Sequence, residues 1–431
     1  MLRPLRGGRF LTMDSMTNIG PLPRLRLYTG LSHYTTLATG IAGRFGVDRG
    51  QIPALERRLC ELTGARYAVT APMARVAIHL AIKHLIKPGQ KVIVSPYTIA
   101  DVINMVVSAG GVPVFADIER ETCNIDAAEV ERLIDDETGA VMVTHFYGLA
   151  CDIKRIAAIC KARGVALIED CAQAFGVRVD GRSVGTFGAA GIFSFGMYKN
   201  VNCFLGGAVV TNDAVLREAL AREMAAWPLQ PVGDYLKKVI KALIVDSVTL
   251  PTIFRPLTFR LFRHAFLKNI EAINRHLKID LDPTLERSLP ESYKARMSPL
   301  QAELVLRQLD DLDAKTRRRM EAAKIYHAGL KDIPELIVAP MREDFSHMYW
   351  YYPIQYAKRH ELVAFAMQRG RDITESYHRN CAELPCFAEF KGHCPKAQAT
   401  ADSLIYLPTY PRYELDEVRK TVAVIRAYFG R

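Results

Sequence analysis

Two stretches decide the reading of this chain: Val165-Ala-Leu-Ile-Glu-Asp-Cys-Ala-Gln-Ala-Phe-Gly176 and Gly191-Ile-Phe-Ser-Phe-Gly-Met-Tyr-Lys-Asn200. The first is a short apolar run ending in Glu169-Asp170, as expected of a buried strand that carries carboxylates at its carboxyl end. In an open α/β sheet, ligands gather at that end. The second is another apolar run, followed within a few residues by Lys199. A lysine in a partly desolvated pocket has a depressed pKa and becomes a nucleophile able to form a Schiff base. Taken singly, Asp170 is as well explained as a helix cap, and Lys199 as a surface-loop lysine. Their order, followed by Leu205-Gly-Gly-Ala-Val-Val-Thr211, is more specific than either alone.

Outward from these stretches the chain alternates short β-rich runs with helical patterns. Strands are predicted at 67–70, 91–95, 113–115, 140–144, 166–169, 191–195 and 208–211, with helices such as 76–86 and 153–162 between them. Pro88-Gly89, Gly110-Gly111 and Gly164 punctuate the helix ends. The alternation predicts an α/β fold, with a large domain built on a mostly parallel mixed sheet flanked by helices. The expected division is an N-terminal arm (1–50), a large cofactor-binding domain (51–224), a basic apolar insertion (225–290) and a smaller C-terminal α+β domain (291–431). One long helix is expected over 299–330 within the last.

The 431 residues are 49% hydrophobic and 24% charged, which suits a folded chain with a sizeable core and excludes a disordered one. Lysine and arginine exceed the acids by 57 − 46 = 11, which permits an anionic partner without naming it. Nine dispersed cysteines point to reduced thiols in a cytosolic compartment. Cys381, Cys386 and Cys394 lie near His378 and His393, but their gaps fit no usual zinc pattern, so no metal is expected. Residues 1–26 lack the apolar run of a signal peptide, and no stretch has the length of a transmembrane helix.

The order and spacing of Asp170, Lys199 and the glycine pair resemble the pyridoxal-phosphate enzymes of the aspartate-aminotransferase fold. Among these the chain looks like the DegT/StrS-type aminotransferases, which mostly act on nucleotide sugars. The resemblance runs from about Gly43 to Tyr428 and includes Gly64-Ala-Arg-Tyr-Ala-Val69, Pro88-Gly-Gln-Lys-Val-Ile-Val94, Tyr293-Lys-Ala-Arg-Met-Ser-Pro-Leu-Gln-Ala302 and Leu404-Ile-Tyr-Leu-Pro-Thr-Tyr-Pro411. It implies pyridoxal 5'-phosphate held by Lys199 as an internal aldimine, with the same lysine moving the proton. It further implies Asp170 at the pyridinium nitrogen, Gln173 at the ring hydroxyl and Ser194 at the phosphate. Lys294 would reach the phosphate of the neighbouring subunit in a homodimer with composite sites.

The implied reaction turns a keto group of a nucleotide- or lipid-linked sugar into an amine, with glutamate as donor. The alternatives are a sugar dehydratase or a non-catalytic regulatory protein on the same fold. Related dehydratases replace the lysine by histidine, so Lys199 favours transamination. The chain departs from the pattern in three places. Met73-Ala74-Arg75 stands where Ser-Gly-Thr usually meets the phosphate, so Ala74 would offer backbone N–H groups and Arg75 a charged fork of donors. Ile99, with Tyr97 close by, stands at the usual ring-stacking position. Gly196-Met197-Tyr198 replaces His-Pro-Thr before the lysine.

Between Asp234 and Lys278 nine lysines or arginines face three acids, interleaved with large apolar residues. Two readings stand side by side: attachment of 231–277 to an anionic membrane surface, or a hairpin buried in a dimer. The expected location is cytoplasmic, with the first reading adding a peripheral position at the inner face of the membrane. No recognised motif supports nucleic-acid binding.

Overall fold

The computed structural model describes residues 20–43, 45–270 and 282–431. Seven strands form the main sheet: β1 (Tyr67–Ala71), β2 (Lys91–Val94), β3 (Val112–Phe115), β4 (Thr138–Thr144), β5 (Ala166–Asp170), β6 (Ala190–Ser194) and β7 (Gly207–Thr211), in the order β1-β7-β6-β5-β4-β2-β3. The pairs β6/β5, β5/β4, β4/β2 and β2/β3 are parallel, and β7 runs antiparallel to both its neighbours. The expected mixed, mainly parallel sheet is therefore present.

Both faces of the sheet are covered. Val92, Val94, Met142, Ile168 and Ile192 point into one core, and Ile93, Val141, Val143 and Leu167 into another. This is why the strands read as continuous apolar runs rather than alternating ones. The helix α1 (Ala74–Leu85) is buried without a break from Val76 to Ile82, as a helix packed on all sides must be.

A second, four-stranded sheet contains β8 (Ile337–Val338), β9 (Tyr352–Gln355), β10 (Thr374–Glu375) and β11 (Leu404–Leu407), in the order β8-β9-β11-β10. Arg24 ties the N-terminal segment to this part of the chain through Asp372, at 2.7 Å.

The helix expected over 299–330 is two helices, α2 (Pro299–Leu306) and α3 (Leu312–Leu330). The interruption falls where the side chain of Gln308 turns inward. Its Nε2 donates to the carbonyl of Asn202 at 2.7 Å, and its Oε1 accepts from the Asn202 N–H at 3.1 Å. The break itself is a 3-10 turn at Leu309–Asp311, and the long-range anchorage beside it leaves no mark in the local periodicity. Residues 271–281, which include the end of the segment predicted to meet a membrane, lie outside the described residues, as do residues 1–19.

Candidate active site

The adjacent carboxylates of β5 point to opposite sides, as successive strand residues do. Glu169 is fully buried and turned away from the site. It accepts the N–H groups of Gly185, Phe187 and Gly188 at 2.6–2.8 Å and lies 3.3 Å from His145 Nε2. Together with Cys171 it forms a cluster of metal-ligand spacing. The carboxylate is already saturated by backbone donors, so its work is to fix the turn before β6.

Asp170 faces the other way. One oxygen accepts from the Ala172 N–H at 2.9 Å and the other from the Thr144 hydroxyl at 3.4 Å. Burial pushes its pKa up, while the Ala172 N–H, Lys199, His145 and Thr144 pull it back.

Lys199 follows β6, one strand away, and is half-buried. Its Nζ lies 4.5 Å from the centre of the Trp350 ring. Loss of hydration lowers its pKa to about 8; Asp170 opposes the drop, and Arg75 adds to it. A ring face attracts a cation, but here the exclusion of water wins. The amine of the cofactor-free chain is accordingly expected to react with aldehydes at a rate that rises through pH 8 and levels off above it. A midpoint near the ordinary 10.5, read by reductive labelling of Lys199 across pH, would contradict this.

Gln173, three residues after Asp170, accepts the Tyr147 N–H at its Oε1 at 2.7 Å. Ser194 ends β6 and accepts from the Gly196 N–H at 3.4 Å. Ala74 opens α1, whose N-cap Met73 supplies no side-chain acceptor. The first-turn N–H groups are therefore open to an anion. Gly207 on β7 lets the sheet approach this helix end: a Cβ there would stand 2.6 Å from the Ala74 nitrogen.

Arg75 is not free in solvent. It forms an ion pair with Asp101, accepts a place over the Tyr293 ring at 5.5 Å and donates to the Tyr293 hydroxyl at 2.9 Å. Lys294, next to Tyr293, pairs with Glu291 at 2.6 Å and so does not join the Asp170–Lys199 group of its own chain. Ile99 is half-buried at the start of the helix Ala100–Ser108.

The sequence reading missed Thr144, His145, Tyr147 and Trp350, and it saw His378 only as a neighbour of cysteines. His378 Nδ1 lies 2.6 Å from the Tyr406 hydroxyl. That hydroxyl is also 2.8 Å from Ser376 Oγ and 3.3 Å from the Tyr147 hydroxyl, and Tyr97 joins Tyr147 and Ser376 at 2.9 Å each. Burial, with Lys199 adding to it, drives the pKa of His378 down to about 3, so the ring is neutral at physiological pH. Cys381 and Cys394 donate instead to the carbonyls of Thr98 and Phe115. Only the tryptophan offered a sequence signal, as one of two in the chain.

Comparison with known proteins shows the family of the chain. The model of the DegT/DnrJ/EryC1/StrS aminotransferase family matches residues 44–232 and 269–426, well over half of the chain. The chain belongs to that family. It is therefore a transaminase by membership, and the family's aminotransferases are pyridoxal-phosphate enzymes.

GDP-perosamine synthase of Vibrio cholerae is 28% identical over 392 residues, covering 89% of this chain and 92% of that one. A pleiotropic regulatory protein of Geobacillus stearothermophilus is 26% identical, covering 88% of this chain and 89% of its own. Among solved structures, Helicobacter pylori PseC, an aminotransferase involved in the biosynthesis of pseudoaminic acid, matches with a TM-score of 0.74 at 19% identity. It covers 95% of this chain and 99% of that chain. The last likeness shows the shared fold. As a member of the DegT/DnrJ/EryC1/StrS family, the chain carries one stretch the family model skips, residues 233–268.

Proposed function

We propose that this aminotransferase converts a keto group of a nucleotide- or lipid-linked sugar to an amine, with pyridoxal 5'-phosphate as cofactor and glutamate as amino donor. The observation that carries the reading is the half-buried Lys199, in the loop after β6, set beside the buried carboxylate of Asp170 at the carboxyl end of the adjacent parallel strand. When bound, the cofactor supplies an aldehyde and an electron-accepting ring. Lys199 Nζ, half of it neutral at pH 8, is the nucleophile and the carrier of the proton. Asp170 would hold the cofactor at its ring nitrogen and keep that nitrogen protonated, and Gln173 would hold it at the ring hydroxyl. The names of several relatives, among them a perosamine synthase, support a sugar as the acceptor.

For the phosphate, Ser194, the open N–H groups beginning at Ala74 and the guanidinium of Arg75 form the chain's own share, and Lys294 is assigned to the neighbouring subunit. Loading requires Arg75 to share its charge between Asp101 and the incoming phosphate. Arg75→Ala is then expected to weaken cofactor binding about tenfold or more, since a charge-assisted hydrogen bond contributes ~1.5–3 kcal/mol. Equilibrium dialysis reads this directly, and unchanged affinity would remove Arg75 from the site.

The same proposal includes a homodimer with composite sites and a division into an arm (1–50), a large cofactor domain (51–224), an insertion (225–290) and a C-terminal domain (291–431). It also includes a cytoplasmic location, peripheral to the membrane. The decisive experiment is a panel of keto sugars, nucleotide-linked and lipid-linked, incubated with loaded enzyme and glutamate. Release of 2-oxoglutarate that depends on the sugar supports the reading. No release with any keto sugar, from enzyme shown to be loaded, would sink it.

A further inference from the structure

The stretch that the family model skips is a bent pair of helices, α4 (Val232–Val248) followed by Pro251–Leu267, meeting at 55°. Its second limb passes through a π turn at Phe254–Thr258 around Pro256. Each limb has an inner and an outer side.

On the inner side Tyr235, Val239 and Ala242 are buried along the first limb, and Phe254, Phe259 and Ala265 along the second. Tyr235 donates to the carbonyl of Cys203 at 3.1 Å, and Phe266 lies 4.9 Å from the ring of His360. The pair is thus laid across the body of the protein, touching the loop after Lys199 at one end and the C-terminal part at the other.

The outer side is apolar. Nine of the thirteen strongly exposed large apolar side chains among the described residues lie between Val232 and Leu267. Ile240, Leu243 and Ile244 share one helical stripe by their i, i+3, i+4 spacing, and Ile253, Leu257 and Leu261 follow at i, i+4, i+8. An exposed patch of this kind marks a docking surface.

Its charge is one-sided. Seven lysines and arginines lie between residues 232 and 268, against Asp234 and Asp246. Asp234 is paired with Lys237 at 2.8 Å, and Asp246 is taken up by the hydroxyls of Thr29 and Tyr34. Lys237, Lys238 and Lys241 are exposed beside the apolar stripe.

We infer that this outer face seats the protein on an anionic lipid surface, entering one leaflet without crossing it. The inference extends the peripheral position proposed above by assigning the face and its residues. No single helix among the described residues is long and apolar enough to cross a membrane. The bent pair has the composition for a broken span, but its inner side is committed to the protein, so only the outer stripe is available to lipid. Apolar residues inserted at the headgroup boundary with basic residues beside them are the physical form of interfacial attachment. A second copy of the chain would gain from the apolar stripe but would set lysines against lysines across a two-fold axis. Charge complementarity therefore selects the lipid.

The test uses the full chain and no turnover, so its outcome is separable from that of the aminotransferase reading. Co-sedimentation is measured with vesicles of phosphatidylcholine alone and with added phosphatidylglycerol. The chain is expected to pellet with the anionic vesicles only, and less as salt rises. The double variant Ile244→Glu/Leu257→Glu, at positions 58% and 66% exposed, should keep its melting temperature and lose about tenfold or more of the partitioning. Failure of the wild type to pellet, equal pelleting on neutral vesicles, or unchanged pelleting of the variant would overturn the inference. So would light scattering that shows the variant falling from dimer to monomer while its vesicle binding persists.

Discussion

Lys199→Ala is expected to abolish turnover, by at least about 10⁴-fold, because on the proposed reading one substitution removes both the nucleophile and the proton carrier. Borohydride then no longer fixes the cofactor to the chain. The same variant is expected to fold well. In the cofactor-free protein below pH 8, folding places a protonated amine where its pKa is about 8 rather than 10.5. At 1.36 kcal/mol per pKa unit this costs about 3 kcal/mol. Between pH 8 and 10.5 the unfolded chain binds the extra proton, so the cost fades and wild-type stability rises with pH. Alanine has no such term, and the packing lost against Trp350 offsets part of the gain. The cofactor-free variant should therefore melt at or above the wild-type temperature at pH 7 and lack the rise above pH 8. Turnover at a normal rate, or an unfolded variant, would contradict the assignment.

Asp170→Asn keeps the shape of the side chain and its acceptance of the Ala172 N–H at 2.9 Å, but removes the charge. An amide cannot hold a proton on the ring nitrogen, so the ring loses its power to accept electrons. Activity is expected to fall by about two to four orders of magnitude, the range typical of a lost proton-holding group. The loss should fall on kcat more than on KM, because the missing charge acts in the transition state. Retained cofactor absorbance with collapsed kcat is the diagnostic pair of readings. A fully active variant would remove Asp170 from its role.

Much of the fold was legible because it rests on short-range pattern. Runs such as Val92–Val94 and Ala166–Ile168 are apolar at successive positions because layers pack on both faces of the sheet, and that demand is written locally. Asp170 and Lys199 drew attention because Asp170 ends such a run and Lys199 follows one within a few residues. The basic, apolar composition of the segment expected over 225–290 was legible; the stretch the family model omits, 233–268, is shorter and lies inside those bounds, and residues 271–281 lie outside the described part.

The surroundings of the site were not legible. Trp350 meets Lys199 across 151 positions of chain, and Tyr97 meets Ser376 across 279. Arg75 finds Asp101 and Tyr293, and Gln308, beside the break between two helices, reaches Asn202. None of these partners is specified by periodicity or by a neighbouring residue. Each arises only when the crossover connections bring distant loops to one end of the sheet. The amino-acid pattern thus sufficed for the strands and for the basic, apolar character of the segment after them, since burial and charge act on each residue where it stands. The depressed pKa of Lys199, the saturation of Glu169 and the side of the bent helices left facing outward depended on the assembled fold, because desolvation and hydrogen-bond partners are properties of the packed interior.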